Sequence, residues 1–188
     1  MNSWLKASAV IGVIVVIASQ IAKDLKSDNC TISSTGKLSN VACVKSKIEQ
    51  VSEYSQFVND LVLAQAILES NLVNKPSKLA LNDNNLFGVK CKQAAINDRK
   101  RSDKECAKYQ TVEYIKGKKL SINASFVHYE SISESVKFRL EMFKMPRYQN
   151  VTNCSSFSDC AVRIQKSGYA TDPRYAVELI RVYKEYIK

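Results

Sequence analysis

The spacing of apolar residues along the chain predicts a mainly helical domain with one β-hairpin. Apolar positions three and four residues apart are typical of helices, and strict alternation of apolar and polar positions is typical of strands. The helical spacing predicts helices near residues 44–55, 60–70, 134–144, 157–167 and 173–187. Alternation over residues 109–115 and 120–128, on both sides of Gly117, predicts the hairpin. The pattern therefore favours an α+β fold with a helical body and a single hairpin lobe.

Local sequence signals bound these predicted helices. Asn59 or Asp60 is a suitable N-cap for the second helix, because a short polar side chain can accept a hydrogen bond from a free N–H of the first turn. Ser131 followed by Glu134 is a capping-box signature at the start of the third helix. Gly168 is expected to end the helix before it in the left-handed conformation, which glycine adopts without strain.

The extreme N-terminus has the composition of a membrane or export signal. Residues 7–22 are almost wholly apolar and small, with a lysine on either side. A bilayer span needs about 20 residues, so this run is short, although Trp4 and Leu5 extend it. Two interpretations stay open for residues 1–23: a retained signal anchor, or a secretory signal peptide that is cut after Ala18.

The cysteines indicate an oxidising compartment. All six follow the apolar segment, and they are Cys30, Cys43, Cys91, Cys106, Cys154 and Cys160. None forms a C-x-x-C pair, and the one histidine, His128, is remote from them in sequence, so zinc-site spacing is absent. Disulfides between sequence neighbours are the expected pairing, Cys30 with Cys43, Cys91 with Cys106 and Cys154 with Cys160. Reduced cysteines in a cytoplasmic protein are the alternative.

The remaining composition divides the chain into a linker and one domain. Residues 24–43 are rich in Ser, Asn, Asp and Thr, which favours a connecting stalk held by the first cysteine pair. Residues 44–188 are enough for one domain with a single hydrophobic core.

The net charge is +10, and the residues after position 28 carry +9 of it, because residues 1–28 hold three lysines and two aspartates. Such a surface attracts polyanions. One basic cluster falls in a predicted loop without interleaved aromatic residues, and it comprises Lys92, Arg99, Lys100, Arg101 and Lys104. Because no nucleic-acid-binding motif accompanies the charge, we expect no nucleic-acid partner and favour an anionic cell wall or phospholipid headgroups.

Glu69 is the first candidate for chemistry. It lies one helical turn beyond Gln65 and two turns beyond Leu61, at the edge of the predicted apolar stripe, so we expect its side chain to be half-buried. Burial and the negative end of the helix dipole both raise the pKa of a carboxyl group. A carboxylic acid with a raised pKa can protonate a glycosidic oxygen near neutral pH. A solvated glutamate at a helix end is the alternative.

Glu113 is the candidate for a second carboxylate. It lies between Val112 and Tyr114 in the predicted hairpin, so its side chain projects from the opposite face of the strand. That face is either the wall of a groove or solvent. Two carboxyl groups about 5 Å apart favour a retaining glycosidase, whereas about 6.5 to 9.5 Å leaves room for an inverting water.

Several separated segments together resemble the glucosaminidase family, which includes flagellar-type peptidoglycan hydrolases and mannosyl-glycoprotein endo-β-N-acetylglucosaminidase-like domains. In chain order these segments are AQAILES at 64–70, NNLFGVK at 84–90, residues 126–136, PRY at 146–148 and QKSGYATDPRYA at 165–176. The resemblance covers residues 45–188. GYATDPRYA is long and specific, whereas AQAILES alone would be a weak signal.

The resemblance implies a lysozyme-like α+β fold and a set of site residues. It implies that Glu69 is the general acid, that Glu113 is the second carboxylate and that Tyr169 lines the cleft and assists catalysis. It implies a groove wall formed by Asn85, Leu86, Phe87 and Gly88. Tyr148 and Tyr175, in the matching PRY and GYATDPRYA segments, are further expected substrate contacts. We expect no cofactor, and the absence of zinc-site spacing favours no metal.

One segment departs from the family. Members usually follow the LES motif with Gly-Trp-Gly, whereas this chain has Asn71, Leu72 and Val73. Losing two glycines and an aromatic residue changes how the backbone and a stacking surface would meet a sugar, although the acid is retained.

The expected function is endo-β-N-acetylglucosaminidase activity on peptidoglycan, in a membrane-anchored or exported protein of a bacterium or of a membrane-containing phage. A catalytically silent wall-binding module and a lytic transglycosylase are the alternatives.

Overall fold

The computed structural model describes residues 30–91, 106–115 and 118–188, without the side chains of residues 112–115 and 118–120. The helices and strands in chain order are α1 (Lys37–Val51), α2 (Gln56–Ser70), α3 (Lys78–Asp83), β1 (Cys106–Ile115), β2 (Lys118–Val127), α4 (Ile132–Glu141), two 3₁₀ helices (Met142–Lys144 and Pro146–Val151), α5 (Phe157–Lys166) and α6 (Tyr175–Tyr186). This is a mixed, mainly helical architecture with a two-stranded antiparallel sheet.

Two of the sequence predictions fall outside these residues. They are the N-terminal anchor or signal at residues 1–23 and the basic cluster between residues 92 and 104. In the part of the chain that the structure describes, no helix combines the length and the apolar content needed to cross a bilayer.

Helix α2 forms the centre of the domain. Its side chains are buried on nearly every side, including Leu61, Val62 and Ile67. Helices α1, α4, α5 and α6 all pack against it. A helix that is apolar around its whole circumference is stable only when it is covered in this way. The last turn of α2, which carries Glu69, is therefore anchored in the core of the domain through Ile67 and Ser70.

The first two helices begin earlier than predicted. Helix α1 starts at Lys37 instead of residue 44, and Val41 is buried, so the end of the predicted stalk belongs to the folded domain. Helix α2 starts at Gln56 after an extended Ser55, so the predicted N-caps are wrong. Asp60 is instead a buried residue within the helix, because the neighbouring apolar residues pack that face of α2 against the core.

The short helix α3 is absent from the predicted set. The Ser77 hydroxyl accepts a hydrogen bond from the Ala80 N–H at 3.2 Å and caps its N-terminus. The helix ends at Asn84, which adopts a left-handed conformation with φ 51°. Six residues are too few for a helical periodicity to stand out in the sequence.

Two predicted capping signals are confirmed. The Ser131 hydroxyl accepts the Glu134 N–H at the start of α4, and the Glu134 carboxylate accepts the N–H of Glu130. Gly168 follows α5 with φ +69°. The turn that leads to Tyr169 is therefore built on the left-handed glycine that the sequence predicts.

The hairpin is joined to the helical body near the start of β1 and the end of β2. Its register runs from Cys106 opposite Val127 to Ile115 opposite Lys118. The Val127 N–H donates to the Val89 carbonyl at 3.0 Å, which attaches β2 to the segment after α3. Buried Asp83 adds side-chain contacts there: its carboxylate accepts the hydroxyl of Tyr109 in β1 and lies 3.0 Å from His128 Nδ1 after β2.

The three disulfides join the cysteine pairs that the sequence analysis predicts. They are Cys30–Cys43, Cys91–Cys106 and Cys154–Cys160. The first ties the segment before α1 to that helix, the second holds the start of β1 to the body, and the third lies at the start of α5.

Candidate functional site

Glu69 lies at the junction between α2 and the NNLFG segment. Asn71 ends α2 in a left-handed conformation with φ 53°, and its N–H bonds the Ile67 carbonyl. The Ser70 hydroxyl donates to the Leu86 carbonyl at 2.6 Å. The end of the central helix is therefore held against the loop that the resemblance assigns to a groove wall.

The Glu69 side chain is more open than the predicted half-buried position. It is exposed to solvent on one side, while its Oε1 accepts a hydrogen bond from the Tyr175 hydroxyl at 2.8 Å. Protein atoms still surround the carboxyl group closely enough that desolvation raises its pKa. The Tyr175 hydrogen bond and the Arg139 charge oppose that rise without cancelling it. Glu69 is thus reachable from solvent and is a weaker acid than a free glutamate.

Tyr175 is the tyrosine whose hydroxyl bonds Glu69, although the sequence analysis assigns the assisting role to Tyr169. It is buried at the first residue of α6, and its oxygen accepts the Gln65 Nε2–H at 3.0 Å. Burial raises the pKa of Tyr175, so its hydroxyl keeps its proton. Tyr169 stacks on Tyr175 with ring centroids 5.7 Å apart. The two tyrosines of the GYATDPRYA segment thus form one aromatic surface beside the acid.

Arg139 is a site residue that the sequence analysis does not identify. Its guanidinium is fully buried and lies over the rings of Phe143 and Tyr169, 4.4 and 4.8 Å from their centroids. Its Nη2 donates to Gln65 Oε1 at 2.6 Å. The sequence signal that could have predicted its burial is the helical spacing of the buried residues of α4, which are Ile132, Ser135, Val136, Arg139 and Leu140. The arginine occupies a core-facing position of that stripe.

A second arginine shapes the turn before Tyr169. Arg147 donates from Nη2 to the carbonyls of Ser167 and Gly168, at 2.8 and 2.6 Å. Its guanidinium also stacks 4.7 Å from the ring of Tyr148, which is buried and meets Tyr169 edge-on. Tyr148, a predicted substrate contact, therefore supports the aromatic surface from behind.

The predicted groove wall is built mainly by its backbone. Asn85 is buried, and its side-chain amide donates to the carbonyls of Val89 and Val127. Leu86 and Phe87 are buried as well, whereas Gly88 is exposed with φ +62°. The side chains of this segment fix the loop, and Gly88 is the residue that it presents to solvent.

Glu113 lies in β1 opposite Leu120. Its side chain is outside the described part of the structure, so its catalytic role stays a prediction. Within the described residues, no cluster of three or more His, Cys, Asp or Glu side chains is arranged to hold a metal ion.

Asn71, Leu72 and Val73, which depart from the family pattern, fit the packing of this domain. Asn71 takes the left-handed conformation, which asparagine tolerates better than most residues other than glycine. Leu72 and Val73 are buried, and the Leu72 carbonyl accepts the Asn40 side-chain amide at 3.3 Å. These residues therefore pack into the core, where the family pattern has an aromatic residue and a glycine.

Comparison with known proteins identifies a family for the chain. Residues 45–188 match the Glucosaminidase family model, described as mannosyl-glycoprotein endo-beta-N-acetylglucosaminidase. Exo-glucosaminidase LytG of Bacillus subtilis (strain 168) is 33% identical over 132 residues, which are 67% of this chain and 43% of that protein. The chain thus spans less than half the length of that relative.

Solved structures share the fold. The C-terminally truncated glycoside hydrolase domain of Salmonella typhimurium FlgJ has a TM-score of 0.58 and 27% identity, and the match covers 81% of this chain and 97% of that one. The catalytic domain of the autolysin Auto from Listeria monocytogenes has a TM-score of 0.65 over 89% of this chain and 93% of that one, and at 23% identity it shows the fold alone. Together with the family match over residues 45–188, these findings show that the chain belongs to the glucosaminidase family.

Proposed function

We propose that this chain is a peptidoglycan hydrolase that cleaves β-1,4 glycosidic bonds of cell-wall glycan, with Glu69 as the general acid. The observation that carries the proposal is the environment of that residue. The residue is exposed to solvent, and its carboxyl group accepts a hydrogen bond from Tyr175 and has a pKa that desolvation raises. The names of related proteins, exo-glucosaminidase LytG and peptidoglycan hydrolase FlgJ, support the same substrate class.

The raised pKa suits the first chemical step. A protonated Glu69 donates its proton to the glycosidic oxygen as the bond to the sugar carbon breaks, so the leaving group departs as a neutral alcohol. Because the pKa lies above the ordinary glutamate value, the acid form persists to higher pH than it would in water. Water then completes the hydrolysis at the sugar carbon.

The other predicted residues have supporting roles in this proposal. Glu113 in the hairpin activates that water or stabilises the oxocarbenium-like sugar. Tyr169, stacked on Tyr175, positions the N-acetyl sugar, and the Gly88 backbone borders the groove. A hairpin attached mainly at its open end allows the second carboxylate to approach when glycan binds.

The cleavage pattern is proposed to be endo, at internal N-acetylglucosaminyl bonds. LytG is named an exo-glucosaminidase, so exo cleavage is a specific second candidate. The size of the first products separates the two: an endo enzyme releases glycan fragments of many lengths at early times, whereas an exo enzyme releases small units from chain ends.

The proposed location is the cell envelope, outside the cytoplasm or in a membrane-containing virion, with the protein anchored by its N-terminal segment or exported. Three disulfides support it, because disulfides persist in oxidising compartments.

Cell-wall zymography and product analysis test the proposal. Wild type is expected to clear peptidoglycan and release reducing N-acetylglucosamine ends. Glu69→Gln is expected to lower the rate by about a hundredfold or more, since a general acid contributes roughly 10² to 10⁴. Glu141→Gln, which changes only an exposed carboxylate paired with Lys144, is the matched control and should clear normally.

The outcomes separate the alternatives. No clearing by a folded wild-type protein that still binds cell walls would identify a silent wall-binding module. Anhydro-muramyl ends would identify a lytic transglycosylase. Unchanged clearing by Glu69→Gln would remove Glu69 from the mechanism.

A further inference from the structure

A chain of three hydrogen bonds runs from a buried cation to the proposed acid. Arg139 Nη2 donates to Gln65 Oε1 at 2.6 Å. Gln65 Nε2 donates to the Tyr175 hydroxyl oxygen at 3.0 Å. The Tyr175 hydroxyl lies 2.8 Å from Glu69 Oε1. Helices α4, α2 and α6 each supply part of this chain.

The direction of every bond is set by chemistry. A guanidinium only donates, so the oxygen of the Gln65 amide must face Arg139 and its NH₂ group must face Tyr175. An NH₂ group only donates, so the Tyr175 oxygen accepts from it and must send its own proton elsewhere. The remaining partner is Glu69 Oε1. The Tyr175 hydroxyl is thus held as a donor to that oxygen.

We propose that Gln65 and Arg139 are positioning residues, which orient the Tyr175 hydroxyl towards Glu69 Oε1 and leave the transferable proton of Glu69 on Oε2. This inference rests on the proposed function, in which Glu69 is the general acid. The carbonyl-type oxygen of a carboxylic acid is the better acceptor, so a fixed donor at Oε1 favours the proton on Oε2.

Burial keeps Gln65 and Arg139 out of contact with a substrate. Gln65 and Arg139 have no solvent-exposed surface, so neither can touch a glycan strand in this arrangement. Arg139 is also an expensive core residue. Its Nε and Nη1 make no hydrogen bond of ordinary geometry with the described residues, although the guanidinium lies close enough to Tyr169 to oppose the rise of that residue's pKa. An apolar side chain would fill the same space at lower cost. A role in orienting Tyr175 explains why a cation is placed there.

The charged and titratable groups that face Glu69 from the described elements are Arg139 of α4, Tyr169 before α6 and Tyr175 of α6. The Tyr175 hydrogen bond stabilises the ionised carboxylate and so lowers the Glu69 pKa. Loosening that hydroxyl would therefore raise the pKa further and move the alkaline limb of kcat/KM to higher pH.

A double-mutant cycle of Gln65→Met and Tyr175→Phe in the full chain tests the proposal, with pH profiles of kcat and KM on soluble peptidoglycan fragments. Gln65→Met is expected to lower kcat about tenfold, to leave KM nearly unchanged and to shift the alkaline limb upwards by about one unit. In the Tyr175→Phe background the same substitution should change little, because its effect passes through the missing hydroxyl. Full additivity of the two substitutions would overturn the inference.

Gln65→Glu serves as a second variant in case Gln65→Met does not fold. It keeps an acceptor for Arg139 but replaces the donor to Tyr175 with a carboxylate oxygen, which competes for the tyrosine proton. The expected result is a lower kcat and an alkaline limb at higher pH, and a wild-type profile would contradict the inference. Glu69→Gln measured alongside keeps the two questions apart. Its inactivity together with an additive cycle rejects only the positioning role, whereas normal activity of Glu69→Gln rejects the proposed function itself.

Discussion

The two ends of helix α2 each carry a carboxyl group with a raised pKa, in different surroundings. Asp60 is buried near the start of the helix, where desolvation is the main cause of the rise and the Gln56 amide bonds its Oδ1 at 2.7 Å. Glu69 at the other end is open to solvent and bonded by a tyrosine hydroxyl. A raised pKa alone thus does not make a general acid, because a substrate must also be able to reach the proton.

The largest expected effect separates these two carboxyl groups by activity. Glu69→Gln should lower the rate of cell-wall hydrolysis by about a hundredfold or more, whereas Asp60→Asn should keep it within about twofold of wild type. The measurement is turbidity loss of purified cell walls at matched protein concentration. A large loss of activity in Asp60→Asn with an unchanged fold would show that Asp60 takes part in catalysis, contrary to the assignment of Glu69 as the general acid.

The next effect tests what the tyrosine contributes. Tyr175→Phe removes the hydroxyl that opposes the rise in the Glu69 pKa, so the alkaline limb of kcat/KM should move to higher pH. The rate at the optimum should fall about tenfold, because a weaker and less oriented acid transfers its proton less efficiently. Tyr183→Phe, about two turns further along α6 and stacked on Phe157, is a matched control and should leave the profile unchanged. An alkaline limb that moves to lower pH would show that the Tyr175 hydroxyl does not lower the Glu69 pKa.

A smaller effect concerns stability at the buried end. The raised pKa of Asp60 means that its protonated form is favoured by folding, so its contribution is present at low pH and is lost as pH rises through the folded pKa. Asp60→Asn, which stays neutral, should therefore gain on the order of 1 kcal/mol over wild type at pH 7. Below the ordinary aspartate pKa of 3.8 the two proteins should have similar free energies of unfolding. Urea unfolding at pH 7 and below pH 3.8 measures the difference in free energy of unfolding. An equal gain in stability of Asp60→Asn at both pH values would show that the gain does not come from the titration of Asp60.

The smallest effect concerns the turn that follows Glu69. Asn71→Gly places a glycine at a left-handed position, which relieves strain but removes the side-chain bond to the Lys75 carbonyl at 3.1 Å. The net change in unfolding free energy should be within about 0.5 kcal/mol, with activity close to wild type. A large gain in activity would show that the departure from the family pattern limits this protein more than its packing indicates. Thermal unfolding and cell-wall turbidity measure the two quantities.

Much of the fold was predictable because it depends on local patterns. The existence of α2, α4, α5, α6 and the hairpin follows from their apolar periodicity. The left-handed Gly168 follows from its own freedom at positive φ. The errors are the missed helix α3 and two helix boundaries. Lys37 and Gln56 lie in polar stretches whose helical state depends on what α1 and α2 pack against.

The candidate site was predictable in part. Glu69 stood out because an acid follows a long apolar stripe and a specific motif. Arg139 did not, since an arginine in an amphipathic helix is ordinarily assigned to the solvated face. The choice between Tyr169 and Tyr175 was also not predictable, because both lie in the same motif and only the packing of α6 on α2 brings one hydroxyl to Glu69.

The amino-acid sequence by itself determined the family, the main helices, the presence of the hairpin and the position of Glu69 on α2, because these depend on residue type and on spacing along one segment. Tertiary structure alone decided which tyrosine bonds the acid, that a buried arginine lies behind it, and that solvent reaches one side of Glu69. These features join α2, α4 and α6, and the distance between side chains on different helices depends on how the helices pack rather than on the pattern within any one of them.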